Sequence, residues 1–156
     1  MITTTRLVLE PLRLDHAPEM TRVLADPVLY AFTGGEPPST EALERRYGFQ
    51  VVGRSPDGSE RWLNWIVRRR KQGDAIGYVQ ATVRDGSADV AWVIGVPWQD
   101  QGFAVEAAAA MIEHLAMPTT AHIHPDHGAS AAVARKLGFE PTDEIADGER
   151  VWRRPA

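Results

Sequence analysis

The chain has no cysteine among its 156 residues. Disulfides, thiolate nucleophiles and cysteine-based metal centres are therefore excluded, and the composition suits a reducing, cytoplasmic setting. No apolar run is long enough to span a bilayer. The opening Met1-Ile2-Thr3-Thr4-Thr5-Arg6 lacks the pattern of a signal peptide. A positive surplus is also missing: the net charge is −4, which gives no electrostatic basis for holding a nucleic-acid backbone. The one basic run, Arg68-Arg69-Arg70-Lys71, lies between apolar segments and reads as a solvated strand end. Neither Gly-x-Gly-x-x-Gly nor Gly-Lys-Ser/Thr occurs, so a Rossmann or P-loop nucleotide site is out. Only three tyrosines are present, Tyr30, Tyr47 and Tyr78. No membrane and no nucleic-acid partner is expected.

What is present is an ordinary globular composition, 44% hydrophobic and 24% charged, in a length that suits one domain over residues 1–156. Residues 6–12 read as a strand that Pro11 puts at an edge or bend. Asp15 is placed to cap a helix running to about Leu24, and Ser39 or Thr40 to cap another over about 40–52. Between them, Phe32-Thr-Gly-Gly-Glu-Pro-Pro38 is too rich in Gly and Pro for regular structure. Three strands follow, about 61–69, 75–83 and 88–96, joined by short turns that make them antiparallel neighbours. A helix from Gly102 to about Ala116, a short strand at 121–124, a helix over 130–137 with Gly138 behind it, and a hairpin of 142–146 and 149–153 complete the series. The order predicts an α+β domain with a mostly antiparallel sheet flanked by helices.

The junction Pro97-Trp-Gln-Asp-Gln-Gly-Phe-Ala-Val-Glu106 carries the clearest chemistry. A helix N-terminus offers free backbone N–H groups and partial positive charge, which suit a phosphate. Gly102 permits close approach, and Gln99 and Gln101 bring side-chain donors. By itself the glycine could equally do no more than end a loop.

Gln99-Asp-Gln-Gly-Phe-Ala104 resembles the Gln/Arg-x-x-Gly-x-Gly/Ala signature of the GNAT superfamily of acyl-CoA-dependent N-acyltransferases. The strand ending Ala91-Trp-Val-Ile-Gly-Val96 resembles that family's fourth strand, which splays from the fifth. Asp126-His-Gly-Ala-Ser-Ala-Ala-Val-Ala-Arg-Lys-Leu-Gly-Phe139 resembles its Asn-x-x-Ser motif with the following helix and Leu-Gly-Phe. Thr5-Arg-Leu-Val-Leu-Glu-Pro-Leu12 is similar to the Rim-type, ribosomal-protein N-acetyltransferase branch. The resemblance covers nearly the whole chain, with three motifs in order.

It implies a GNAT fold with splayed fourth and fifth strands, and acetyl-CoA as co-substrate. The pyrophosphate would lie on Gln101, Gly102, Phe103, Ala104 and Val105, with Gln99 alongside. The pantetheine would run along Val93, Ile94 and Val96, where a strand N–H stabilises the oxyanion of the tetrahedral intermediate. His127 replaces the family's Asn but keeps one hydrogen bond to offer. Ser130 matches the serine taken as proton donor in the Rim-type branch and, with His127, also counts among the cofactor contacts the resemblance implies; its plainer reading is a helix cap. Asp89 and Glu36 are the candidate bases, each otherwise a surface carboxylate. The acceptor would be a small-molecule amine or a protein N-terminus. The Leu115–Ala121 segment is short for the family, which would leave the next strand thin or displaced.

Two rivals remain in view. His122 and His124 share a strand face near Asp126 and could bind zinc, but no ligand from elsewhere in the sequence is evident and no metal is expected. The His127 replacement and the absence of a tyrosine beside Leu-Gly-Phe suit a catalytically weak acyl-CoA-binding or protein-interaction module. The chain would be a monomer, or a homodimer through an exposed edge near the C-terminal hairpin.

Overall fold

Eight strands form one sheet in the order β1-β2-β3-β4-β5-β6-β8-β7 in a computed structural model that describes residues 1–156. They are β1 (Ile2–Thr3), β2 (Leu7–Pro11), β3 (Arg61–Arg69), β4 (Ala75–Arg84), β5 (Ser87–Ile94), β6 (Thr119–Ile123), β7 (Glu140–Ala146) and β8 (Glu149–Arg154). The helices are α1 (Ala17–Val23), α2 (Thr40–Gln50), α3 (Phe103–Leu115) and α4 (Gly128–Lys136). All strand pairs are antiparallel except β5–β6. No helix is long and apolar enough to cross a membrane.

The period of two along β4 sets the layers. Val79, Ala81 and Val83 are buried toward one face, while Tyr78, Gln80 and Thr82 are half-buried on the other. The first face joins Leu7, Leu9, Val67 and Ile76 to Ala107, Met111 and Ile112 of α3 in the main core. The second carries α1 and α2, whose Met20, Val23, Leu43 and Tyr47 pack with Ile66 and Ala75. Fully buried side chains such as Ile76 and Met111 each stabilise the fold by about 1.5–3 kcal/mol. The second face shows Asn64, Tyr78 and Gln80 at half-buried strand positions and holds a cavity.

Several local expectations need correcting. Asp15 does not cap α1. It sits in a 3-10 turn, Leu14–His16, whose box is closed by His16 Nδ1 accepting from the Arg13 N–H at 2.9 Å. The basic run is not a solvated strand end: Arg68 binds Glu10 and Glu19 at 2.9 Å, Arg69 binds Asp74, and Arg70 donates to the Thr4 carbonyl. Ser130 does not cap α4, because the helix starts two residues earlier with His127 as its N-cap. The short segment before β6 costs that strand nothing toward β8, to which all five residues pair; toward β5 only two do.

Candidate active site

β5 and β6 meet only at Ala88↔Thr119 and Asp89↔Thr120. Beyond Asp89 the two strands diverge, so a wedge opens toward the C-terminal end of β5. Parity identifies the backbone groups that face it. The Ala88 N–H donates to Pro118 O, on the β6 side, while the Gly95 N–H donates to Ile76 of β4. In an antiparallel ladder the direction alternates. Val90, Trp92 and Ile94 therefore turn their N–H and C=O groups into the wedge, and Ala91 and Val93 turn theirs to β4. Val93 contributes its side chain, on the α1/α2 face. Val96 lies past the strand end, in a 3-10 turn, Val96–Trp98. The buried Trp92 indole N–H has no hydrogen-bond partner.

Gly77 sets this strand end. A Cβ there would come within 2.1 Å of Val93 O, so only glycine lets β4 and β5 approach at the wedge.

After β5 the chain turns through Gly95–Gln101 into α3. Gly102 is the N-cap, at φ 82°, a left-handed conformation that favours glycine, and no side chain caps the helix. The N–H groups of the first turn, at Phe103, Ala104 and Val105, are thus left for another partner. Gln99 and Gln101 turn inward: the Gln99 amide donates to Ile94 O at 2.9 Å and that of Gln101 to Pro97 O at 3.4 Å. They brace the loop first and keep one donor each.

Two residues that sequence reading passed over hold the junction. Arg6 donates through Nε to Glu106 Oε1 at 2.7 Å and through its guanidinium to Gln101 O at 3.0 Å, and lies 4.2 Å over the Phe103 ring. Thr4 Oγ1 bonds Glu106 Oε2 at 2.5 Å. Burial pushes the Glu106 carboxyl up, but the Thr4 and Arg6 hydrogen bonds outweigh it and hold it below the usual carboxylate range. The signal was present: an acid in a helix's first turn and an arginine in the quoted opening motif.

On the other flank, His127 Nδ1 accepts from the Ser130 N–H at 3.3 Å. The His127 ring stacks on Phe32 at 4.5 Å. Burial, then the charge of His124, lower its pKa, so it stays a neutral acceptor near pH 7. The hydroxyl of Ser130, half-buried, makes no hydrogen bond, being absent from every contact the α4 turn forms. Asp89 occupies the last paired position before the wedge, with His122 Nε2 at 4.0 Å. Glu36 stays exposed in its loop and joins neither group. No set of three or more potential metal ligands gathers.

The α1/α2 face holds a cavity of about 300 Å³ lined by Arg46, Tyr47 and Gln50 of α2, Asn64 of β3, and Tyr78 and Gln80 of β4, among others. Tyr78 pairs with Val93 and Gln80 with Ala91, so the cavity floor abuts β5 directly.

Residues 6–140 match the family model described as "Acetyltransferase (GNAT) domain". Among solved structures, the chain is similar to an acetyltransferase from Thermus thermophilus, with 21% identity, 100% of both chains covered and a TM-score of 0.82. It is similar to RimL, a ribosomal L7/L12 alpha-N-protein acetyltransferase in complex with coenzyme A, with 16% identity, 97% and 95% covered and a TM-score of 0.79. It is also similar to the microcin C7 self immunity acetyltransferase MccE in complex with acetyl-CoA and AMP, with 13% identity, 98% and 94% covered and a TM-score of 0.80. No curated protein matches the sequence.

Proposed function

We propose, from the premise that this chain belongs to the GNAT acetyltransferase family, that it transfers the acetyl group of acetyl-CoA to a primary amine. One domain over residues 1–156 would do so, with a small-molecule amine or a protein N-terminus as acceptor. The observation that carries this is the wedge: β5 leaves β6 after two pairs, at the end where the uncapped N-terminus of α3 follows.

The residues present fit acetyl-CoA. Free N–H groups at Phe103, Ala104 and Val105 suit a pyrophosphate. The β5 edge groups left after the β6 pairing and the Gln99 bond, the Val90 carbonyl, both Trp92 backbone groups and the Ile94 N–H, with the orphaned Trp92 indole N–H, suit the amides of a pantetheine arm laid beside the strand. When bound, acetyl-CoA supplies the acetyl group activated as a thioester.

The chain's own part is to orient the acyl group and to move protons. The Trp92 and Ile94 N–H groups are the fixed donors available to a carbonyl oxygen in the wedge. The attacking amine must shed a proton, and Asp89, at the last paired position before the wedge, is the candidate to take it. Glu36 is the weaker candidate, because nothing holds its carboxylate near the wedge. The leaving sulfur needs a proton, and the uncommitted hydroxyl of Ser130, fixed by the His127 cap, can supply one.

Incubation with acetyl-CoA and a panel of amines tests the reading, with free thiol followed by colour reaction and N-acetyl product by mass spectrometry. Stoichiometric thiol and product are expected. Acetyl-CoA binding without product from any amine or N-terminal peptide would overturn catalysis and leave an acyl-CoA-binding module.

A further inference from the structure

The cavity on the α1/α2 face has an unbalanced chemistry. No aspartate or glutamate lines it, and its one charged side chain is Arg46. Arg46 is exposed and makes no ion pair with any of the carboxylates that engage the other arginines of the fold. The polar groups around it are equally uncommitted. The hydroxyls of Tyr47 and Tyr78 and the side-chain amides of Asn64 and Gln80 make no hydrogen bond in the folded chain. By contrast, Tyr30 donates to Leu24 O at 3.0 Å. These polar groups, without internal partners and lining one cavity, are free to bind a ligand that enters it.

Arg46 is near enough to Tyr30, Tyr47 and Tyr78 for its charge to lower all three phenols. Burial is the larger effect and raises each of them, Tyr47 to about 12. The phenols therefore remain protonated donors at neutral pH. Arg46, two phenol O–H groups and two amide N–H groups converge on one volume, and no carboxylate faces them. This is a donor-rich anion site.

We infer that the acceptor is a small amine that also carries a carboxylate, with Arg46 holding the carboxylate and the cavity floor presenting the amine to β5. The inference rests on the acetyl-transfer reading above and names the substrate class for that same site. Its geometry follows from the register. Arg46 is carried by α2, whereas Gln80 and Tyr78 are carried by β4 and lie opposite Ala91 and Val93 of β5. A molecule spanning the cavity places its anionic end on the helix and its other end beside the wedge. A volume of about 300 Å³ is at the low end for ligand sites and suits an amino acid or a dipeptide. A polyamine is the wrong class, because its second ammonium would meet Arg46 without a compensating carboxylate.

The test compares matched acceptors with the full chain and saturating acetyl-CoA: phenylalanine and leucine, their amides, and spermidine. Wild type is expected to favour each acid over its amide by tenfold or more in kcat/KM. Arg46→Gln is expected to raise KM for the acids by about tenfold, as the loss of a charge-assisted bidentate contact does, and to leave the amides unchanged. Equal use of acids and amides, a preference for spermidine, or indifference to Arg46→Gln would each overturn the inference while leaving acetyl transfer intact. If no amine is turned over but acetyl-CoA binds, thermal shift with the acids and amides in the presence of coenzyme A reads the same preference. A shift by the acids alone, abolished in Arg46→Gln, supports the anion site, and equal or absent shifts overturn it. Failure of acetyl-CoA itself to bind overturns the underlying reading, and the inference with it.

Discussion

Arg6 Nε donates to Glu106 Oε1 at 2.7 Å, across 100 positions of sequence. The contact solves an electrostatic conflict. Glu106 stabilises α3 as an acid in its first turn, yet a carboxylate there repels an anion bound at the same helix end. Arg6 neutralises it and pins Gln101 O as well. Arg6→Gln should therefore weaken acetyl-CoA binding by about tenfold, as loss of a charge-assisted hydrogen bond does, with kcat at saturation nearly unchanged. The double variant Arg6→Gln/Glu106→Gln should recover most of the affinity. Calorimetry on the three proteins checks this; a double variant as weak as the single one would show a role in packing alone.

Ser130→Ala should lower kcat by about ten- to a hundredfold, with a smaller effect on acetyl-CoA affinity, as expected for a proton donor to the leaving sulfur. His127→Ala should lower kcat through the lost cap, and His127→Asn, which still accepts a hydrogen bond from the Ser130 N–H, should restore much of it. Steady-state kinetics with thiol detection separates these outcomes.

Asp89→Asn should reduce kcat about tenfold or more, while Glu36→Gln leaves it in place. Steady-state kinetics of the two variants against wild type check the assignment. A loss confined to Glu36→Gln would transfer the role of base to the loop.

Stability should fall in two stages on acidification. Burial lowers the His16 pKa, with the charge of Arg13 adding to it. The unfolded chain thus takes a proton first, and stability declines as pH drops below about 6.5. Arg68 hydrogen bonds lower Glu19. At Glu10, burial raises the pKa but Arg68 outweighs it and the net shift is downward. Their contribution is present above about pH 4.5 and is lost as pH falls through the folded values. Arg68→Met should cost about 2 kcal/mol at pH 7 and flatten the lower stage, because it strands two half-buried carboxylates. Denaturant melts between about pH 2 and pH 8 read both stages.

The sequence showed most of this fold because its signals are local. Alternation marks β3 to β5, Ser39 caps α2 through the Ala42 N–H as expected, and Asp85-Gly86 and Asp147-Gly148 adopt the positive φ of hairpin turns. The Gly102 junction was legible for the same reason. What stayed hidden depends on long-range register. Which N–H groups of β5 face the wedge follows from its pairing with β4, and the burial of Arg68 from its meeting Glu10 and Glu19, 58 and 49 positions away. Arg46 looked like any arginine on a helix until Asn64 and Gln80 were seen beside it.

The central claim is that the N-terminus of α3 holds the acetyl-CoA pyrophosphate, and calorimetry of acetyl-CoA with wild type and Ala104→Glu tests it most directly. Glutamate in a first helical turn is compatible with the helix, so a thermal melt should show the variant folded. Binding by wild type that is weakened about thirtyfold or more in Ala104→Glu is the predicted result. Equal binding by the two proteins, or none by wild type, would contradict the account.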